Sequence, residues 1–164
     1  MKVLAIDPGY GRCGVAVLEK TPTGEVLMYS DCIETSASDE FSERLAAVTS
    51  ECMRLAAQFE PDAIAIEKLY FSTNQKTAMH VAEVRGALIS GAAERDIPVF
   101  EYGPGQVKSA TTGSGRADKI QIARMLHVLI KIEKNIRHDD EYDAIAIGIT
   151  HLASVRNGNA LKTR

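Results

Sequence analysis

Two short apolar segments, each ending in an acidic residue, constrain the fold of this chain more than any other feature. Val3–Asp7 reads VLAID and Ala63–Glu67 reads AIAIE. A continuous apolar run of this length is typical of a strand that is buried on both faces of a sheet. Neighbouring parallel strands lie about 4.8 Å apart, and ligands of open α/β sheets bind at their carboxyl ends. If the two strands are neighbours, Asp7 and Glu67 converge at one site.

The hydrophobic pattern elsewhere predicts a mixed sheet with helices on both faces. Apolar runs at Val15–Leu18 and Val26–Ile33 follow the first strand through tight turns, which favours an antiparallel meander. A further strand at Ile97–Tyr102 comes after a helix, and a strand, a helix and a strand in succession imply parallel pairing. Apolar spacings of three and four predict the helices, which span about 41–59, 74–95 and 118–132.

Length and composition favour one globular domain. The 164 residues are 45% hydrophobic and 25% charged, with no low-complexity stretch. We expect a single domain over residues 1–155 and a flexible tail over 156–164. The apolar run at the N-terminus is too short for a signal peptide or a membrane span, so we expect a cytoplasmic protein. The formal net charge of −3 would by itself argue against a nucleic-acid partner.

A third acidic group begins the last apolar segment, which runs from Asp139 to about Val155 and is predicted to be buried. Asp140 and Asp143 are three residues apart, so on a helix they share one face. An ordinary preference for acids at a helix N-terminus would also explain them. If this helix packs on the sheet, both acids reach the edge where Asp7 and Glu67 end.

Four carboxylates in one crevice would repel one another unless a divalent cation neutralises them. Oxygen ligands favour Mg²⁺ or Mn²⁺. Two such ions about 4 Å apart clamp the attacking and leaving oxygens of a phosphodiester during in-line displacement. Phosphoryl chemistry is therefore the leading reaction class.

These motifs resemble the RuvC-type Holliday junction resolvases. The resemblance rests on IDPG at Asp7, AIEKLYF at Glu67, FEYGPGQVK up to Lys108, a G-x-G turn before Lys119, and DEYDAIAIGITH from Asp140. It covers nearly the whole chain in order. It implies a ribonuclease H-like fold, a homodimer, and paired, symmetric nicking of four-way DNA junctions in recombination and repair, leaving 5′ phosphates. It also implies two Mg²⁺ ions in each site, which Mn²⁺ can replace, and a branch-migration helicase complex as partner.

The same resemblance assigns the catalytic and metal-binding acids to Asp7, Glu67, Asp140 and Asp143, with Asp7 bridging the two metals. The position of Asp140 tolerates more than one ligand type in the family. Asp139 shares a helix face with Asp143 at a spacing of four, and His138 is also close in sequence. We therefore order these alternatives as Asp140, then Asp139, then His138.

Basic residues concentrate between positions 104 and 137, although the whole chain is acidic. Lysines and arginines near a glycine-rich turn are suited to phosphate contacts. Exposed aromatic residues beside such a site can stack on bases or wedge between them. The resemblance assigns DNA binding to Lys108 and Lys119, with stacking by Tyr70. The full set expected to bind DNA is Tyr70, Phe71, Lys108, Arg116 and Lys119.

A ridge of small residues runs along the predicted middle helix at a spacing of four: Ala78, Ala82, Gly86 and Ser90. Small ridges let two helix axes approach closely. The ridge either packs on the protein's own sheet or forms a two-fold helix pair between protomers, and the dimer implied by the resemblance favours the second.

Two other classes of function compete with a DNA endonuclease. A phosphotransferase of the actin and sugar-kinase type also has a strand that ends in Asp before a glycine turn, but it needs a second lobe for which this chain has no room. A related RNA nuclease or a non-catalytic binding module is the other alternative. The presence of all four acids argues against a loss of catalysis.

Overall fold

A single mixed sheet forms the centre of the molecule in the computed structural model, which describes residues 1–69 and 75–156. Its strands are β1 (Lys2–Asp7), β2 (Arg12–Thr21), β3 (Gly24–Glu34), β4 (Ala63–Glu67) and β5 (Val99–Tyr102). The strand order is β3-β2-β1-β4-β5. The first three strands pair antiparallel, whereas β4 pairs parallel with both β1 and β5. The predicted meander with added parallel strands is confirmed.

Five helices cover the two faces of this sheet. They are α1 (Phe41–Phe59), α2 (Gln75–Ala93), α3 (Pro104–Thr112), α4 (Lys119–Leu129) and α5 (Asp139–Arg156). One buried core lies between the sheet and the helices α1 and α2. The other lies between the sheet and the helices α3, α4 and α5. This arrangement confirms the prediction of helices on both faces.

Alternating side-chain sizes along β1 explain why α5 lies so close to the sheet. Leu4 and Ile6 belong to the core beneath α1 and α2. Val3 and the small Ala5 face the other core, where α5 packs. On α5 itself, a Cβ atom at Gly148 would overlap the side chain of Leu18. The sequence therefore provides space for close packing on both the strand and the helix.

The helix predicted over 118–132 ends earlier, at Leu129. Ile130 has an extended backbone, with φ −139° and ψ 153°, yet its side chain is 4% exposed and packs in the core. The apolar spacing thus continues past the point where the helix ends, which is why the pattern overestimates its length. Residues 130–138 instead form a connection that crosses to the edge strand β3.

The domain boundary predicted after residue 155 falls in the last turn of α5. The tail predicted over 156–164 lies outside the described residues, apart from Arg156. Within residues 1–69 and 75–156, no helix combines the length and the hydropathy that a bilayer crossing requires.

Candidate active site

Asp7 and Glu67 lie side by side at the carboxyl edge of the sheet. β1 and β4 are parallel neighbours with Ile6 opposite Ile66, so each acid is the next residue along its strand. Burial raises the pKa of Asp7 well above its usual value, and the negative charge of Glu67 raises it further. Burial likewise raises the pKa of Glu67. The structure brings these two strand acids together, as the two apolar runs predict.

The first turn of α5 carries Asp140 and Asp143 to the same edge. Gly14 pairs with Asp7 across the sheet. A Cβ atom on Gly14 would overlap the backbone carbonyl oxygen of Asp140, so glycine is what allows α5 to lie here. The carboxylates of Asp143 and Asp140 also raise the pKa of Asp7. All four acids therefore lie within electrostatic reach of one another.

Lys119, the first residue of α4, is the cation nearest to two of the helix acids. Its Nζ lies 2.5 Å from Oδ2 of Asp139 and 3.3 Å from Oδ2 of Asp143. The hydrogen bond from Lys119 lowers the pKa of Asp139. Burial raises the pKa of Asp143, and the charge of Lys119 partly offsets that rise. The lysine thus bridges two carboxylates on consecutive turns of α5.

Arg12, at the start of β2, contacts the acids from the opposite side. Its Nε lies 3.1 Å from Oδ2 of Asp140, and its second terminal nitrogen lies 3.9 Å from Oδ1 of Asp139. Arg12 is also 3.3 Å from Nδ1 of His138, whose Nε2 lies 3.1 Å from a carboxylate oxygen of Glu34. His138 is therefore held at the edge strand by other partners, away from Asp7.

The donor set fits a hard divalent cation, although the acids are not arranged around one in this conformation. Among residues 1–69 and 75–156, no three His, Cys, Asp or Glu side chains form a ready-made metal site. Oδ2 of Asp140 is buried and has no hydrogen-bond partner in the described part of the chain. Its contact with Arg12 meets the distance for an ion pair but lacks the angle of a hydrogen bond. A buried, unsatisfied carboxylate oxygen beside carboxylates with raised pKa values is what a cation would stabilise.

These contacts favour Asp140 over its two alternatives. The charge of Asp140 raises the pKa of Asp7. Asp139 is half-exposed and bound to Lys119, and His138 contacts Glu34 and Arg12. The order Asp140, then Asp139, then His138 stays a prediction.

Lys108, on α3, and Lys119 lie close enough to the strand acids for their charges to lower the pKa of Glu67. Arg116 is exposed in the turn before α4. Tyr70 and Phe71, which are predicted to stack on bases, lie outside the described residues. The basic side chains among the predicted DNA contacts thus surround the carboxylate edge on the α3 and α4 side.

The small-residue ridge on α2 divides into a buried part and an exposed part. Ala78 is 4% exposed and packs against its own chain. Ala82, Gly86 and Ser90 are exposed, and a Cβ atom built on Gly86 would meet no atom within 4 Å. Three of the four predicted interface residues therefore form an open surface.

Sequence reasoning missed three residues around the site: Arg12, Lys134 and Glu141. Arg12 follows the glycine turn after Asp7. A search for metal ligands does not select it, because an arginine does not bind metal. Lys134 lies beyond the predicted helix, in a loop, with its Nζ 2.7 Å from Oε1 of Glu141. Glu141 belongs to the acidic run of α5, and only the fold shows that its side chain is buried. Glu141 is adjacent to Asp140, so on a helix it points to a different face from Asp140 and Asp143. This difference in face could have distinguished it from the site acids.

The strand order, the helices on both faces and the carboxylates at the ends of β1, β4 and the start of α5 define a ribonuclease H-like nuclease. A sequence profile of the family "Crossover junction endodeoxyribonuclease RuvC" matches residues 3–151. This chain therefore belongs to the RuvC family, which comprises metal-dependent nucleases. Membership confirms the resemblance inferred from the motifs, and the phosphotransferase alternative is wrong.

Individual relatives support this assignment over nearly the full length. The crossover junction endodeoxyribonuclease RuvC of Petrotoga mobilis is 44% identical over 151 residues, covering 92% of this chain and 93% of that protein. The Thermus thermophilus RuvC structure aligns with a TM-score of 0.90 at 30% identity and covers 99% of this chain and all of that one. T. thermophilus RuvC in complex with a Holliday junction substrate aligns with a TM-score of 0.92 at 31% identity, covering 99% of both chains.

Proposed function

We propose that this chain resolves four-way DNA junctions by paired, symmetric nicks that leave 5′ phosphates, in recombination and repair. The observation that carries the proposal is the convergence of Asp7 and Glu67 on paired parallel strands, with Asp140 and Asp143 placed over them by α5. Family membership and the Holliday junction bound to T. thermophilus RuvC support the choice of substrate.

The four acids are the residues that would hold two Mg²⁺ ions, or Mn²⁺ in their place. Such ions, when bound, polarise the phosphate and lower the pKa of the attacking water. Asp7, which is the central acid in the electrostatics of the site, would be shared between them. Asp140 offers a buried oxygen that accepts no hydrogen bond from the described residues.

The basic residues of α3 and α4 hold the DNA backbone in this proposal. Lys108 and Lys119 border the acids, and Arg116 extends the basic surface outward. In the reaction, the water oxygen forms a new bond to phosphorus while the bond from phosphorus to the 3′ oxygen breaks. The products are a 5′ phosphate and a 3′ hydroxyl. The positive charge of Lys119 reduces the repulsion between the substrate phosphate and the nearby carboxylates.

Symmetric nicking requires two active sites, which we propose a homodimer supplies. The exposed part of the α2 ridge, at Ala82, Gly86 and Ser90, is the proposed contact, with Ala78 as the buried end of the ridge. Gly86→Leu should shift a dimer toward monomer in size-exclusion chromatography with light scattering. Ala47→Leu, at an exposed position on α1, is the control. An unchanged Gly86→Leu profile removes the ridge from the interface.

We further propose that a branch-migration helicase complex works with the enzyme in the cytoplasm. Moving the junction along DNA would present new sequence to the two sites. A junction-tethered pull-down with purified helicase subunits checks this partnership, and recovery that is equal with and without the nuclease contradicts it.

One assay tests the proposed reaction. The protein is incubated with a mobile four-way junction, a linear duplex and a structured RNA, each with Mg²⁺ or with EDTA. We expect symmetric, Mg²⁺-dependent nicks on the junction, abolished in Asp7→Asn and retained in Asp39→Asn, which changes an exposed acid far from the site in sequence. Preferential cutting of the RNA would favour the RNA nuclease, and an active Asp7→Asn variant would overturn the proposed site.

A further inference from the structure

Glu141 differs from the other acids at the start of α5 because its side chain is buried, with 5% exposure. Ser30 on β3 donates a hydrogen bond from Oγ to Oε1 of Glu141 at 2.6 Å. Nζ of Lys134 lies 2.7 Å from the same oxygen and donates to the backbone carbonyl of Ser30 at 2.6 Å. We call these three residues, Ser30, Lys134 and Glu141, the Glu141 cluster.

The Glu141 cluster joins three separate segments of the fold. Ser30 belongs to the edge strand, Lys134 to the connection between α4 and α5, and Glu141 to the first turn of α5. A buried carboxylate is tolerated only when it is paired and hydrogen-bonded, and here each member contacts the other two. The cluster therefore specifies one arrangement of these segments, because any displacement of α5 would leave a buried charge unpaired.

The position of Glu141 in sequence couples this arrangement to the proposed metal ligands. It follows Asp140 directly and precedes Asp143 by two residues in one helical turn. Successive side chains on a helix point about 100° apart, so anchoring Glu141 toward β3 fixes the rotation at which Asp140 and Asp143 face the strand acids. Gly14 sets how closely this turn approaches the sheet, while the cluster sets its rotation.

We propose that Glu141 is a positioning residue for the helix-borne acids, held by Ser30 and Lys134. This inference rests on the proposed function, because it gives a role to a neighbour of the proposed ligands. It requires that breaking the cluster lower turnover and metal affinity while junction binding is kept, since the basic residues that hold DNA lie on other elements.

The chain contains a matched control on the same connection. Lys131 and Glu133 form an ion pair two residues apart, but their side chains are 83% and 73% exposed. An exposed pair contributes little to structure, whereas breaking a buried one leaves an uncompensated charge. Glu133→Gln thus removes the same charge as Glu141→Gln, but from the connection that carries Lys134 and without disturbing the packing of α5.

The kinetic experiment uses Glu141→Ala, Glu141→Gln and the control Glu133→Gln on a preassembled junction. We expect Glu141→Ala to lower kcat about tenfold and to raise the Mg²⁺ concentration needed for half-maximal rate, with KM and junction binding in EDTA within about twofold. Glu141→Gln should give a smaller loss, because its amide oxygen still accepts from Ser30. Equal kcat in Glu141→Ala and Glu133→Gln would overturn the proposal.

A double variant separates positioning from stability alone. Lys134→Met combined with Glu141→Leu replaces a half-exposed lysine and its buried carboxylate partner by apolar groups, a change that often preserves or increases stability where an ion pair is buried. We expect thermal stability near that of the wild type while kcat stays low. Recovery of kcat together with stability would show that the cluster acts only on folding, which overturns the positioning role.

Amide hydrogen exchange over residues 139–143 provides a readout that needs neither metal nor activity. In metal-free protein we expect faster exchange in Glu141→Gln and unchanged exchange in Glu133→Gln. Unchanged exchange in Glu141→Gln would overturn the inference whatever the substrate of the enzyme. An inactive wild type with the expected exchange pattern would instead count against the proposed function.

Discussion

The two halves of the carboxylate site are built in different ways. The strand half, Asp7 and Glu67, is fixed by the backbone pairing of β1 and β4. Within residues 1–69 and 75–156, no Lys or Arg nitrogen lies within ion-pair distance of either acid. The helix half, Asp140 and Asp143, is held by side-chain contacts, since each acid has a cation beside it.

The two halves of the site therefore differ both in what fixes their position and in how their negative charge is offset. The strand half has a fixed position and an unfavourable charge, which shows in the raised pKa values of both acids. The helix half has a cation beside each acid, so Arg12 and Lys119 offset part of its charge, and its position depends on Gly14 and on Glu141. Changes to the strand half should therefore affect the charge of the site, whereas changes near the helix half should affect its alignment.

The largest effect is expected from neutralising a strand acid. Asp7→Asn should lower kcat by about 10³-fold or more, because several kcal/mol of transition-state stabilisation depend on the ions that this acid would hold. Single-turnover cleavage of a junction measures the loss. Asp39→Asn serves as the exposed control, and a loss below about tenfold in Asp7→Asn would contradict the central place of Asp7.

A smaller effect is expected from displacing the helix half while the strand half stays in place. In Gly14→Ala the new Cβ overlaps the carbonyl of Asp140, which pushes the first turn of α5 outward. A displacement of about 1 Å can reduce turnover by about 10²-fold. Gly105→Ala, where a Cβ meets no atom within 4 Å, should stay within about twofold. Equal kcat in both alanine variants would show that α5 adjusts without loss.

The next effect concerns the counter-ion of Asp140. Arg12→Gln should tighten metal binding by about 1.4- to fivefold, because a half-exposed ion pair that competes with the metal is worth about 0.2–1 kcal/mol. Isothermal titration calorimetry with Mn²⁺ measures the change without turnover. Arg124→Gln, at an exposed position on α4, is the control. Weaker binding in Arg12→Gln would mean that the arginine positions Asp140 instead of competing for it.

The smallest effect is a change in the free energy of unfolding with pH. The pKa of Asp7 is raised in the folded protein, so the folded state binds this proton more tightly than the unfolded state does. Asp7 therefore lowers the free energy of unfolding as the pH rises past 3.8, the ordinary pKa of an aspartate. In EDTA at pH 7, the free energy of unfolding of Asp7→Asn should exceed that of the wild type by about 1 kcal/mol. The gain should vanish at acidic pH. Urea denaturation across pH measures it, and a gain independent of pH would contradict the electrostatic cause.

The strand half was accessible from sequence because its determinants are local. The apolar run before each acid identifies a buried strand that ends in a carboxylate. Asp143 also follows from local spacing within an apolar helix. That β1 and β4 are neighbours is shown by the sheet pairing and not by any local pattern.

The contacts around the helix half depend on long-range packing that no local pattern encodes. Lys134 reaches Glu141 only because α4 ends at Leu129, while the apolar spacing suggests a longer helix. Ser30 lies 111 positions away from its partner Glu141. Arg12 contacts Asp140 because α5 packs closely over Gly14. The glycine motif is compatible with this close packing but does not by itself predict it.

The order of the acids along the chain has a consequence for biosynthesis. Asp7 and Glu67 are synthesised early, whereas the helix that brings Asp140 and Asp143 comes last and also completes one of the two cores. A nascent chain that stops before residue 139 therefore has half of the carboxylates and an open face on its sheet. On the proposed assignment of the four acids, cleavage therefore requires a chain that extends through α5.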